Sequence, residues 1–332
     1  MRKIIFFGIF CLFLISPILA FAYSRQEAIN RTLAKMETSS SSRQTSYFAA
    51  SDINSKKKLS YSFNNDIPKN KSDQREEAIK AAFYIAAAID SNRIHYSEWE
   101  GKRKRNEDFG THRGYSLAIG YKSPNYYEWV NGYPFIECYF RRFGNIIRYK
   151  GALIGGGPFD TYERSVVKQY GVKIGATRDF LDKGSILGYL DIGRRIWYRD
   201  EDGRWDNIIL YGEKYSWVYL GLGAGINYEL LPRLLLGFEA EWLTTLPRTR
   251  KMHANNFGYG DVTFKLGYVW GGEVKLPVKY YILKNLSLDV TPYFTYWKIK
   301  RSDYVELGGS YWHEPDSKTH FNGVLAGFTC AF

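Results

Sequence analysis

Beyond residue 80 the chain alternates apolar and polar positions in long runs. Val218, Leu220, Leu222, Ala224 and Ile226 share one face, with Gly221, Gly223 and Gly225 on the other. Leu234, Leu236, Phe238, Ala240 and Trp242 alternate with Glu239 and Glu241. Val274, Leu276, Val278, Tyr280 and Ile282 alternate with Glu273, Lys275 and Lys279, and Leu286, Leu288, Val290, Pro292 and Phe294 with Asp289, Thr291 and Tyr293. The last residues repeat the pattern: Val324, Ala326, Phe328, Cys330 and Phe332 oppose Gly323, Leu325, Gly327, Thr329 and Ala331. A side-chain period of two is that of a β-strand. The pattern predicts ten strands, near 80–97, 113–122, 134–149, 164–180, 185–200, 206–229, 233–248, 262–282, 286–304 and 319–332.

The connections fall into two sets. Tight turns are expected at 182–185, 231–233 and 284–285, and longer polar segments at 98–112, 149–163, 199–206, 249–261 and 305–318. They alternate along the chain, so the short ones gather at one end of an antiparallel sheet and the long ones at the other. Segment 123–133 breaks this order. It is long enough to hold one more hairpin, which makes twelve strands the alternative.

The N-terminus adds a destination. Arg2 and Lys3 precede an apolar run from Ile4 to Ile15, then Pro17 and Ala20-Phe21-Ala22. This is the layout of a signal peptide over 1–22 with cleavage after Ala22, hence Sec-dependent export. The apolar run is short of the ~20 residues of a spanning helix. A mean hydropathy of −0.36 also argues against helical spans. An aromatic content of 17%, with 28 Tyr and 9 Trp, suits the interfacial girdles of a membrane β-barrel. The fold class expected is therefore all-β: an antiparallel transmembrane β-barrel of about ten strands over 80–332. Residues 23–79 are expected to be a low-complexity periplasmic segment, disordered or briefly helical, with a serine run at 39–42 and a lysine run at 56–58.

A strand that runs to the carboxylate and ends on Phe332 resembles the closing strand of Gram-negative outer-membrane β-barrels. The resemblance implies an outer-membrane location, Phe332 as an assembly signal, and the barrel-assembly machinery and outer-membrane lipid as partners.

Charge narrows the partners further. The formal charge is +12, and +10 once Arg2 and Lys3 leave with the signal. For an exported protein, anionic lipopolysaccharide fits this balance better than nucleic acid. Lys102, Arg103, Lys104 and Arg105, with Arg113, Arg248, Arg250 and Lys251 on other outer segments, form an expected anion-binding rim. Glu98, Glu100, Glu107 and Asp108 offer the opposing reading, a solvated loop whose charges cancel. Facing inward, Glu239, Glu241, Glu273, Lys275, Lys279 and Asp289 are expected to form a lumen charge network, joined by Lys173, Asp179, Asp191 and Arg195. Cys138 and Cys330 fall on non-neighbouring strands, which disfavours a disulfide.

Ten strands with long outer segments also resemble the omptins, the outer-membrane proteases, in architecture over about 80–332. That family carries an acidic pair on the second outer loop and an Asp-x-His dyad on the fourth. Here Asp160 and Glu163 stand on the second and His253 on the fourth, but Arg250 and Lys251 replace the Asp before the histidine. The five histidines show no metal-ligand spacing, and no cofactor motif is present. The expectation is a non-enzymatic surface barrel, structural or ligand-binding through its outer segments. The alternatives are an omptin-like protease and a small-solute channel.

Overall fold

A computed structural model describes residues 83–152, 157–180, 183–201, 212–255 and 260–332. The expected signal peptide and the segment 23–79 lie outside the described residues. The rest is one antiparallel sheet closed on itself. Its strands are β1 (Phe83–Glu100), β2 (Arg103–Lys122), β3 (Tyr133–Ala152), β4 (Pro158–Phe180), β5 (Gly184–Glu201), β6 (Gly212–Leu231), β7 (Leu234–Thr245), β8 (Lys251–Asn255), β9 (Val262–Lys265), β10 (Val269–Lys275), β11 (Val278–Leu283), β12 (Leu286–Ile299) and β15 (Asp316–Ala331). β7 and β8 form one stave, and β9, β10 and β11 another, so the wall has ten staves. β13 (Val305–Leu307) and β14 (Ser310–Trp312) make a separate hairpin before the last stave.

The barrel closes where β1 pairs β15, from Tyr84↔Ala331 to Trp99↔Asp316. Closure matters because a free sheet edge cannot be hydrated within a bilayer. Ten staves replace the twelve-strand alternative. Residues 123–132 hold a single 3-10 turn at Glu128–Val130 and a bridge between Tyr127 and Gly132, not an added pair of wall strands.

The outward face carries the apolar set that alternation assigned to it. Ile89 is 71% exposed, Leu222 61% and Leu190 61%, and Val274, Leu276, Tyr280, Leu288 and Phe328 are exposed as well. On β6 this band runs from Leu220 to Tyr228, roughly 27 Å along the strand. With the usual tilt of such strands, that matches the ~25 Å apolar band of outer-membrane barrels. Phe180, Tyr228, Tyr280, Phe328 and Phe332 ring its turn-side edge. Phe332 also donates its N–H to the Phe83 carbonyl at 2.8 Å, tying the chain end to β1. Cys138 and Cys330 are separated by β1 and β2 and form no bridge with each other.

One expectation is corrected by strand length. The segment 98–112 is not a loop. β1 runs to Glu100 and β2 restarts at Arg103, so the connection is Gly101-Lys102. β3 and β4 likewise extend to Ala152 and from Pro158. The staves continue well past the apolar band as a β-walled tube. There both faces carry polar residues, so hydrophobic alternation fades although the ladder persists.

Leu276 lies within the apolar band, so Leu276→Arg should destabilise the refolded barrel by about 2–4 kcal/mol. Denaturant unfolding in lipid vesicles measures this, and an unchanged midpoint would reverse the face assignment.

Candidate functional site

The inward face is stacked in three tiers along the axis. At the depth of the apolar band the interior is polar. A cavity of about 240 Å³ is lined there by Glu137, Asp191, Glu239, Glu241, Glu273 and Asp289, with Arg141, Lys173 and Lys275 among them. Lys275 Nζ meets Glu273 Oε1 at 2.6 Å, and Lys279 Nζ lies 3.8 Å from Asp289 Oδ2. The partner of Lys275 is thus Glu273 on its own strand, rather than Glu239, Glu241 or Asp289 on a neighbour. Asp179, expected inside, is exposed at the turn-side mouth. Two inward glycines of β6 make room for larger groups. A Cβ on Gly223 would fall 2.1 Å from the Tyr189 ring, and one on Gly221 would fall 2.2 Å from Glu241 Oε1.

Arg141 caps this tier. Its Nε reaches Asp90 Oδ2 at 2.6 Å and its Nη1 reaches Glu273 Oε2 at 3.3 Å, and its guanidinium lies over Tyr293. Above it the lumen turns dry. Ile94, Phe143, Trp197, Trp217, Tyr219, Trp297 and Phe321 are all buried and pack into one core. Trp217 and Trp297 meet with ring centroids 5.3 Å apart, and Phe143 and Phe321 at 5.4 Å. Arg195 passes through this layer with its guanidinium over Phe321 and Trp297, donating to Gln169 Oε1 at 3.1 Å.

The top tier is built around Arg199. Its guanidinium meets Glu213 at 2.6 Å, Asp108 at 2.9 Å, Glu163 at 3.1 Å and Glu98 at 3.3 Å, and stacks on Tyr96. The carboxylates arrive from β1, β2, β4 and β6, so one cation holds five strands together above the membrane. Tyr96 donates to Glu98 at 2.6 Å, and the Tyr215 hydroxyl is hydrogen-bonded to Glu213 at 3.0 Å and to Glu314. Carboxylates outnumber the cation, so some must hold protons. Burial, then the charges of Glu98 and Glu163, push Glu213 up to about 7 against the pull of Arg199. Burial raises Glu314 and Asp108 in the same direction.

The hub sets two measurable properties, the stability of the barrel and its pH dependence. Arg199→Met leaves four buried carboxylates without their cation and should cost on the order of 3–5 kcal/mol in denaturant unfolding. The second concerns pH. The unfolded chain releases the Glu213 proton near 4.5, whereas the folded chain keeps it to about 7. Stability from this group should therefore fall as pH rises through that window and level off above it. Unfolding midpoints between pH 4.5 and 8 read the slope, and Glu213→Gln should flatten it.

The outward wall just above the apolar band carries a belt of cations. Arg93, Arg113, Arg142, Arg164 and Arg194 are exposed on β1 to β5, and Lys214, Lys251, Lys265 and Lys318 continue the belt on β6, β8, β9 and β15. Around Gly144 the belt opens into a cleft of about 500 Å³, lined by Arg113, Arg142 and Arg164 with Tyr115, Ile146 and Val166. The register explains the gap: Gly144 pairs with Arg113 on one side and Val166 on the other, and it brings no side chain of its own.

The residues singled out in the sequence are dispersed. Arg105 pairs with Glu100 and Lys104 with Glu107 at the β1–β2 tip. Arg113 to Arg105 spans roughly 27 Å along β2, so that tip stands far above the belt. Arg248 adopts a left-handed φ of 69° in the turn after β7, and Arg250 and Lys251 follow at the start of β8. Lys251 pairs with Ser216 and joins the belt, so the expected single rim divides between two heights. Asp160 lies outward, bonded to Arg148 at 2.6 and 2.8 Å, whereas Glu163 faces inward to Arg199. His253 sits between buried Met252 and Ala254, with its Nδ1 2.9 Å from Thr263 Oγ1. Asp160 and Glu163 thus lie on opposite faces of β4, and no groove brings them to the histidine. Sequence reading misses Arg199, Glu213 and Arg141, and assigns Glu98 and Asp108 to a solvated loop. Extending the inward parity of each strand past the apolar band is the signal that finds them.

A closed antiparallel sheet with an apolar outer band and an aromatic edge defines a transmembrane β-barrel protein. No protein-family model matches the sequence, and a search of curated proteins finds no match. Among solved structures it is similar to the outer membrane protease OmpT of Escherichia coli, at 10% identity over 76% of this chain and 97% of that one, with a TM-score of 0.44. It is also similar to the transport unit of the autotransporter AIDA-I of Escherichia coli (13%, 81% and 94%, 0.38) and to Ail, the attachment invasion locus protein of Yersinia pestis (13%, 75% and 99%, 0.29). The likeness is one of barrel architecture, and no activity follows from it.

Proposed function

We propose that this chain is a non-conducting surface protein of the Gram-negative outer membrane that works from its outward wall and extended rim. The observation that carries this reading is the dry tier of the lumen. Trp197, Trp217, Trp297, Phe143 and Phe321 are buried at 2% exposure or less and fill the section between the polar cavity and the Arg199 hub. A ten-stave barrel is only slightly wider than an eight-stave one, whose interior side chains just fill it. An ion crossing that tier would shed most of its hydration among packed aromatic rings, with only isolated polar groups such as the Arg195 guanidinium and the His112 ring in its path. The enzymatic alternative lacks support for a related reason. A general base needs its partner within hydrogen-bond reach, and Asp160, Glu163 and His253 are not brought together.

Planar-bilayer recording of the refolded barrel tests this reading. No unitary conductance is expected from the parent, and resolved open-channel steps would overturn it. A peptide-cleavage assay on the same preparation is expected to show no turnover.

A further inference from the structure

We infer that the cleft around Gly144 on the outer wall is a binding site for the phosphate-bearing headgroup of an anionic lipid in the outer leaflet. This rests on the membrane placement proposed above, and it assigns a ligand to one patch of the wall.

Three features converge on the cleft. The first is charge without compensation. Higher on the wall, several cations are paired on the protein itself: Arg148 with Asp160, Arg105 with Glu100, Lys104 with Glu107. Arg113, Arg142 and Arg164 make no ion pair among the described residues, and no carboxylate lines the cleft. Arg113 and Arg142, on the paired strands β2 and β3, form the core of the site. The second is shape. Gly144 lies between the arginines and cannot take a side chain, because a Cβ there would fall 2.5 Å from the Ser165 carbonyl oxygen. The floor therefore stays open, and Asn145, which lines it, is held by donating to the Thr111 carbonyl at 3.0 Å.

The third feature is height. Tyr115 and Leu117 follow Arg113 on the outward face of β2 and are 41% and 47% exposed, so the apolar band starts directly beneath the cleft. A lipid whose chains lie along Tyr115 and Leu117 brings its headgroup to the arginines. A phosphomonoester carries up to two negative charges and three terminal oxygens. Two guanidiniums satisfy it with paired hydrogen bonds, which an ammonium cannot do. A zwitterionic headgroup brings its own cation and gains little. The β1–β2 tip, by contrast, is far above the headgroups, and two of its four cations, Lys104 and Arg105, are already paired.

The test uses the full chain refolded in zwitterionic micelles, with native mass spectrometry reading retained lipid. Phosphatidic acid should bind, and phosphatidylcholine of the same acyl chains should not. Arg113→Gln with Arg142→Gln should weaken phosphatidic acid binding at least tenfold. Arg113→Lys with Arg142→Lys should recover part of the loss. Lys102→Gln with Arg103→Gln removes the same charge at the β1–β2 tip and should leave binding as in the parent. Equal retention of the two lipids by the parent would overturn the proposal, and that comparison stands even if the glutamine variant fails to fold. So would parent-like binding by a folded glutamine variant, or an equal loss from the tip variant. Inorganic phosphate that displaces the lipid at equal concentration would assign the cleft to a free anion and overturn the lipid assignment.

Discussion

Closure of the sheet between β1 and β15 is the constraint on which the rest of this molecule depends. In hydrocarbon, no water replaces a missing backbone partner, so the ladder must return to its start. The chain meets this by placing its first described strand against its last and binding the Phe332 N–H to Phe83. Once the ladder is closed, side chains have two destinations. Alternate residues face lipid or fill a narrow tube, and each must suit one environment completely. That is why Gly223 stands beside Tyr189 and Gly221 beside Glu241: in a ten-stave lumen a large inward group needs a small neighbour.

The tube stays closed above the membrane, where lipid no longer enforces closure. There the Arg199 hub takes over. Glu98, Asp108, Glu163 and Glu213 reach one guanidinium from four strands, with Tyr96 and Trp197 stacked against it. Buried ion pairs are weak evidence of stability in themselves, since desolvation offsets most of the attraction. Their value here is geometric. A guanidinium with fixed donor directions sets the distances between strands that nothing outside presses together.

How much of this was legible in the sequence depends on depth. At the level of the bilayer the two faces differ sharply in polarity. Leu276 against Lys275, or Leu288 against Asp289, assigned both the strand and its orientation, and the ten staves followed. The tail alternation to Phe332 was equally plain. Past the apolar band that contrast disappears. Glu98 and Asp108 look like the charges of a solvated loop, and only the cross-strand register reveals them as buried partners of Arg199. The arginine cleft was hidden for another reason. Arg113, Arg142 and Arg164 are far apart in sequence, each in an unremarkable strand, and they converge only through the pairing around Gly144. The lysine–arginine run at 102–105 stands out because it is contiguous, yet its place on a hairpin tip lets Glu100 and Glu107 pair with two of its four charges, Arg105 and Lys104.

The sorting of charge across the wall ties these observations together. The chain is basic overall, yet its interior above the cavity holds more carboxylates than cations. Inside, Arg199 is outnumbered and protons make up the difference. Outside, the belt at Arg93, Arg113, Arg142, Arg164 and Arg194 is left in excess. Had the outward arginines served to neutralise the interior, they would alternate onto the inward face, as Arg195 and Arg199 do on β5. They keep the opposite parity, so they are set toward what lies outside the wall. A cation held at the upper edge of an apolar band has two possible counter-charges: a carboxylate on the protein, or a phosphate in the leaflet. Along the higher wall the chain supplies carboxylates to Arg148, Arg105 and Lys104 itself. At the belt Arg113 and Arg142 have no such partner among the described residues, and this is the physical ground for proposing a phosphate in the leaflet as their counter-charge.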